Sequence, residues 1–285
     1  IEVINDTINE IVRMYYQIAK GTYLQESQLP VIDRLKQKPD DSFKRDILTN
    51  EQYEKFWKYC RHNYCAKKHN KDQPDAELLK RKIFTEFIMI IANVGFRSKE
   101  LLGLKVGEIS EGESWDAEKR KTNVVMKVRK ENSKTGKGRL CVAPVKERIE
   151  KIKKHYKDLG VKLDKTDYLF INPTNKERKQ YGRMIMYNRL KQVFRESGLQ
   201  EEFDKENKNV SLYSFRHQYA CWRLRYGDVP IHLLAKQMGT SVSKIESTYG
   251  HIMVVEQADQ ITKNQEYLRK MDIILDTPEV VEEDD

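Results

Sequence analysis

Apolar positions recur along this chain with two different periods, and the switches between them outline the fold. Over residues 5–20, Ile8, Ile11, Val12, Tyr15 and Ile18 fall three or four apart, the spacing of one helix face, and Gly21 stops the run. Residues 29–43 (LPVIDRLKQKPDDSF) lose that period. Two prolines among acids and amides mark a linker, with a domain boundary near residue 40. Thr49, followed three residues later by Gln52 and then by Phe56 and Tyr59, has the spacing of a capping box. Residues 77–94 carry the strongest apolar helix. Its run FIMIIANV at 87–94 has the length of a buried helix and is too short to span a membrane. Gly95 ends this helix, and Ser98 is placed to cap a short one after it.

The period then shortens. In residues 123–129 (NVVMKVR), Val124, Met126 and Val128 alternate as one face of a strand. Residues 132–138 (NSKTGKG) form a turn, and 140–145 (LCVAPV) the return strand of a hairpin. Helical spacing resumes at 146–159, 183–197, 214–226, 231–238 and 243–249. The expected fold class is mainly α with a small antiparallel β-sheet (α+β), without internal repeats.

Charge narrows the function. The 285 residues contain 53 Lys+Arg against 44 Asp+Glu, a net +9, although the last seven residues alone hold five acids. A body this basic fits a polyanionic partner and favours nucleic acid, without choosing between DNA and RNA. The four cysteines, Cys60, Cys65, Cys141 and Cys221, are scattered with no CxxC pair and no histidine at zinc-finger spacing, so reduced thiols in a cytoplasmic protein are expected. No signal peptide is visible. The chain does not begin with Met and opens in a helical pattern, so removal of an N-terminal region is expected.

Three segments carry the chemistry: GFRSKELLGL at 95–104, SLYSFRHQYACWRLRYG at 211–227 and LLAKQMGTSVSKIESTYGHI at 233–252. With the lysine-bearing turn between the strands, their order and spacing resemble the tyrosine recombinase (phage integrase) family over roughly residues 45–255. That pattern has an arginine in a G-x-R-x-x-E-L turn, a hairpin lysine, an H-x-x-R-H helix start, a G-H/W position and a terminal tyrosine. Each piece alone is weak; five in order are specific.

Carried over residue by residue, the resemblance makes Arg97 and Arg216 the two arginines, Lys134 the hairpin lysine with Lys137 as its rival, and Tyr249 the nucleophile. Glu100, His217 and His251 become supporting residues, with Glu100 orienting Arg97 and His217 bonding Arg216 or backbone. Tyr213 stands where the family usually has a histidine, and Thr240 where its usual G-H motif has one; both are taken as variants within the site, and they leave the general base open.

The residue types suit the reaction. A phosphodiester is already anionic, and its pentavalent transition state gathers more charge on the equatorial oxygens. Two guanidinium forks bind those oxygens and stay charged at any working pH. A tyrosine attacking phosphorus conserves the bond as a 3′-phosphotyrosyl link, and a lysine can protonate the departing 5′-hydroxyl. No cofactor and no metal are implied. Arg129, Lys130, Lys137, Arg139, Lys236 and Lys244 are expected to touch DNA phosphates, and the helix at 183–195, with Asn188 and Lys191, is a candidate for the major groove.

The resemblance also implies a domain plan: residues 1–40 as the remnant of a core-binding domain and linker, 41–255 as the catalytic domain, 256–276 as a segment docking on a neighbouring protomer, and 277–285 as a disordered acidic tail. The implied partners are double-stranded DNA and three further copies in a homotetramer on two recombination sites, in a bacterial host cytoplasm at the nucleoid. A mobile element, with integration as its task, is favoured. The rivals are a non-catalytic DNA-binding protein on the same fold, a type IB topoisomerase and an RNA-binding module.

Overall fold

A computed structural model describes residues 2–19, 46–114, 116–173, 175–226 and 229–256, with 2–6, 18–19 and 250–256 as backbone only. The chain divides into two units, Ile1–Lys44 and Arg45–Asp285.

In the first unit, α1 spans Glu2–Ala19, three residues earlier at its start than the apolar spacing predicts. Ile11, Met14 and Tyr15 on this helix are exposed.

The second unit starts from the predicted cap. Thr49 Oγ1 accepts from the Gln52 N–H at 3.2 Å, Gln52 Oε1 accepts from the Thr49 N–H at 3.1 Å, and α2 runs Asn50–Tyr59. These reciprocal bonds satisfy two backbone donors that a helix start otherwise leaves open. The apolar helix α3, Asp75–Val94, lies in the core with Phe84, Phe87, Ile88, Ile90 and Ile91 almost fully buried. It stops at Gly95, whose φ of +74° few other residues tolerate and whose absent Cβ makes room for the Tyr219 ring; a Cβ there would lie 2.4 Å from Tyr219 Cδ1.

The next helix, α4 (Ser98–Leu102), is capped differently from expectation. Arg97, not Ser98, is the cap residue, and the Glu100 carboxylate reaches back to its N–H at 3.0 Å. A three-stranded antiparallel sheet follows, with β1 Ile109–Glu111, β2 Val124–Val128 and β3 Arg139–Ala143 in the order β1-β2-β3. The register pairs Met126 with both Ile109 and Cys141, which turns Val124, Met126 and Val128 to the core as their alternation predicts. Helices α5 (Ala117–Thr122), α6 (Lys146–Asp158), α7 (Arg183–Glu196), α8 (Leu199–Lys205), α9 (Leu212–Tyr226), α10 (Ile231–Met238) and α11 (Val242–Glu256) complete the unit. β1, α5 and α8 are additions to the predicted elements, and α11 continues beyond the predicted end at 249.

Two apolar clusters result. The larger joins α2, α3, the sheet, α6, α7 and α8. The smaller is built from Tyr219, Ala220, Cys221 and Leu224 of α9, Leu234, Ala235 and Met238 of α10, and Ile245 and Tyr249 of α11. α9 belongs to both, with Leu212 and Phe215 in the first and its later residues in the second. Among the described residues no helix is long and apolar enough to cross a membrane. The segments expected to dock on a neighbour (from 257) and to form an acidic tail lie outside the described residues.

Candidate active site

Arg97 follows the α3–Gly95 stop, and Arg216 lies in the first turns of α9, so two chain reversals bring them to one place. Arg216 is 2% exposed. Its Nη1 donates to the Gly95 carbonyl at 2.6 Å and its Nη2 to the Met238 carbonyl at 2.8 Å. Arg97 Nη2 donates to the next carbonyl, that of Gly239, at 3.1 Å. The end of α10 therefore offers consecutive carbonyls to the two arginines. It can do so because Gly239 adopts a φ of +64°, which turns the chain out of the helix.

Glu100 links the cluster. Its side chain is 1% exposed and faces three guanidiniums: Arg97 at 2.8 Å, Arg139 at 2.7 Å and Arg216 at 3.9 Å. Burial pushes its carboxyl up, but the bonds and charge from Arg139, together with Arg97, outweigh this and hold it below the ordinary glutamate value. Arg216 has the opposite imbalance. Burial lowers its pKa, and the charge of Arg97 lowers it further. Three cations against one anion in a largely desolvated cluster leave the site short of negative charge, a condition that a bound oxyanion relieves.

Tyr249 approaches from α11. It is 7% exposed, and its Oη is hydrogen-bonded to Nδ1 of His217, the residue after Arg216. Burial raises the phenol's pKa, with Cys221 and Tyr213 adding to the rise and the Arg216 charge opposing it. The phenol is thus protonated at neutral pH, and its oxygen shares a hydrogen bond with a ring nitrogen, the histidine tautomer setting which of the two donates. The expectation for His217 is a bond to Arg216 or backbone; the Tyr249 hydroxyl is a partner of its Nδ1 that this expectation does not name.

The remaining predicted residues divide into those within the cluster and those around it. Tyr213 is 42% exposed; its ring meets His217 edge-on at 4.7 Å and lies under the Arg216 guanidinium at 5.9 Å. Thr240 is half-buried, and its N–H closes the Gly239 turn on the Ala235 carbonyl at 3.1 Å. Lys130, Lys134, Lys137, Lys236 and Lys244 are exposed. Arg129 pairs with Glu108 at 2.8 Å and donates to the Gly103 carbonyl at 2.8 Å. Arg139, expected among the DNA-facing cations, is instead 10% exposed and held by Glu100 and the Gln237 carbonyl. The side chain of His251 lies outside the described residues. On the α7 face, Lys191 lies over the Tyr187 ring at 4.8 Å. Among the described residues no group of three or more His, Cys, Asp or Glu side chains is placed to hold a metal ion.

Two site residues escape a sequence reading. Gln237 clips α10 to the sheet: its Oε1 accepts from the Val142 N–H at 3.1 Å and its Nε2 donates to the Val142 carbonyl at 2.9 Å. Asn132 Nδ2 donates to the Glu100 carbonyl at 2.8 Å. Neither belongs to a recognisable pattern, although Asn132 opens the lysine-bearing turn.

Comparison with known proteins gives the chain's family and fold. The Phage integrase family matches residues 46–254. No curated protein matches. Among solved structures, the XerH site-specific recombinase bound to a palindromic difH substrate, a post-cleavage complex, is 20% identical with a TM-score of 0.53; the match covers 76% of this chain and 53% of that one. The Tn1549 transposon integrase in complex with transposon right end DNA is 17% identical with a TM-score of 0.51, covering 91% and 79%. The XerA recombinase is 16% identical with a TM-score of 0.50, covering 90% and 82%. This chain spans about half the length of the XerH chain, and at these identities the likeness is one of fold. Its mainly helical unit with a small antiparallel sheet is the fold of tyrosine recombinase catalytic domains. By the match over residues 46–254, this chain belongs to the phage integrase family.

Proposed function

We propose that this chain is a site-specific DNA recombinase or integrase, from a phage or other mobile element, that cleaves and rejoins double-stranded DNA through a 3′-phosphotyrosyl intermediate. The observation that carries this reading is the meeting, within one chain, of Arg97 and Arg216 on a shared carboxylate, with a tyrosine hydroxyl hydrogen-bonded to the residue beside Arg216.

In the reaction, Arg97 and Arg216 bind the non-bridging oxygens of the scissile phosphate and stabilise the charge that builds there. Tyr249 attacks phosphorus, and its proton passes to His217 Nδ1 as the O–P bond forms. The P–O5′ bond breaks, and O5′ takes a proton from the ammonium of Lys134, or of Lys137 in the same turn. Attack by a different 5′-hydroxyl reverses each step and joins new partners. His217, whose Nδ1 meets the Tyr249 hydroxyl, fills the general-base role. The exposed lysines on the hairpin, α10 and α11 suit phosphate contacts, so binding should weaken steeply with salt. The XerH and Tn1549 integrase structures contain DNA, which supports the same partner here. Exchange between two sites calls for four copies on two duplexes.

The test is covalent capture on a pool of nicked duplexes of randomised sequence. Once a nick lets the cleaved fragment diffuse away, the protein–DNA adduct accumulates. The expected result is an adduct mapping to the Tyr249 peptide in the wild type and absent from Tyr249→Phe. An adduct on another tyrosine would overturn the Tyr249 assignment, and the same absence of adduct in both proteins would overturn the enzyme reading and favour a non-catalytic DNA-binding protein. Strand exchange between two marked duplexes separates a recombinase from a type IB topoisomerase.

A further inference from the structure

The turn between β2 and β3, residues 133–138, carries both candidate lysines on exposed positions. Its two ends are fastened to one residue of another element. Just before the turn, Asn132 Nδ2 donates to the Glu100 backbone carbonyl at 2.8 Å. Just after it, Arg139 grips the Glu100 carboxylate with Nη1 at 3.1 Å and Nη2 at 2.7 Å, while its Nε donates to the Gln237 carbonyl at 3.0 Å. The fit is close at both points. A Cβ on Gly103 would lie 2.3 Å from Asn132 Oδ1, and one on Gly239 would lie 2.6 Å from Arg139 Nη1. Glu100 in turn holds the Arg97 N–H and Nη1.

From this bracket we infer that Asn132 and Arg139 are positioning residues for the general acid, bracing the lysine-bearing turn against Glu100 so that the ammonium reaches the leaving oxygen of the phosphate that Arg97 holds. The inference rests on the strand-transfer reading above. A lysine has a long flexible stem, and on an unbraced turn its ammonium spends little time at any one point. Fastening both ends of the turn to the residue that orients Arg97 fixes the distance between acid and phosphate clamp. All three Arg139 guanidinium nitrogens are engaged, Nη1 and Nη2 by the Glu100 carboxylate and Nε by the Gln237 carbonyl, so its contribution passes through the turn and the carboxylate rather than through DNA.

The chemistry supplies a readout that a merely structural role would not move. In the natural step the Tyr249 O–P bond forms, the P–O5′ bond breaks, the phenolic proton goes to His217 and O5′ receives a proton from the lysine ammonium, which becomes a neutral amine. If the bridging O5′ is replaced by sulfur, the leaving group departs as a thiolate. A thiol titrates near ~8.5, so departure needs no proton and the lysine becomes dispensable.

The experiment measures adduct formation on paired oxygen and sulfur substrates of the selected sequence. With oxygen, one of Lys134→Ala and Lys137→Ala should lose on the order of 10²–10⁴-fold. Asn132→Ala and Arg139→Lys should lose on the order of 10–100-fold. All three should recover toward the wild-type rate with sulfur, whereas Arg97→Lys stays slow on both substrates. Asn132→Ala, at a half-buried position, keeps the test open if Arg139→Lys does not fold. Equal losses on the two substrates for Asn132→Ala and Arg139→Lys, or no loss in either, would overturn the inference and leave the lysine assignment intact. Failure of both lysine variants to recover would overturn the general-acid assignment and the inference together.

Discussion

Arg97 and Glu100 are set by elements of the larger apolar cluster, on the far side of Gly95 from α3. Tyr249 belongs to the smaller cluster, which α10 and α11 close against one face of α9. The larger cluster is deep, with Phe84, Phe87, Ile88, Ile90 and Ile91 of one helix almost fully buried. The smaller is built from far fewer buried residues, and Ile47, Val229, Ile231 and Val242, themselves half-buried, pack against it. The electrophile clamp and the nucleophile therefore rest on supports of unequal strength. Among the described helices α9 alone contributes buried residues to both, and Arg216 lies between Phe215 in one cluster and Tyr219 in the other. Local opening free energy follows the apolar contacts an element makes. The tyrosine helix should thus loosen more readily than α3, while the α10 carbonyls that hold Arg97 and Arg216 tie the clamp to the smaller cluster as well.

The largest effect should come from the residue binding the clamp together. Glu100→Gln leaves three guanidiniums facing no carboxylate and should cost about 3–5 kcal/mol in urea unfolding at neutral pH. The pH dependence has a definite sign. The folded carboxyl titrates below the ordinary value of 4.5, so its contribution is complete above that pH and is lost as the pH falls through the folded value. The difference between wild type and variant should shrink only in that acid range; a gap that stays constant down to unfolding would contradict the assignment.

Arg216→Lys tests the crossing point. An ammonium cannot bridge the Gly95 and Met238 carbonyls and also fork onto a phosphate, so adduct formation should fall about 10²–10³-fold. A loss below about tenfold would mean that Arg97 alone supplies the clamp.

Leu234→Ala sharpens the contrast between the supports. It should cost about 2–3 kcal/mol and raise amide exchange in α10 and α11 while leaving α3 protected. Phe87→Ala in the larger cluster should instead lower protection throughout the second unit. Parallel loss of protection in both variants would mean that the clusters unfold as one. Gly239→Ala should have the smallest effect, about 1–3 kcal/mol in Tm-derived stability, from strain at positive φ and pressure on Arg139.

These contrasts also explain what could be read in advance. The Thr49–Gln52 cap, the α3 helix and the strand alternation at 123–129 are local patterns, and each forms as its spacing predicts. α8 has only Leu199 and Phe203 as buried anchors, too few to display a period, and β1 is three residues long. Arg97, Arg216 and Tyr249 were legible because their residue types recur at family spacing. Arg139 was not, because charge in a sequence does not reveal burial; nothing in RLCVA says that its arginine turns inward to Glu100 while Lys134 and Lys137 stay in solvent. The His217–Tyr249 bond joins residues thirty-two apart and depends on how α11 packs across α9, which no local spacing records.

The Gln237 clip has a consequence for how copies of this protein can meet. β3 is an outer strand of its sheet, and an outer strand ordinarily offers its main-chain groups to any extended segment that comes alongside. Here a carboxamide occupies both groups of Val142 in the manner of a missing neighbouring residue, so strand addition from another chain is blocked at that point.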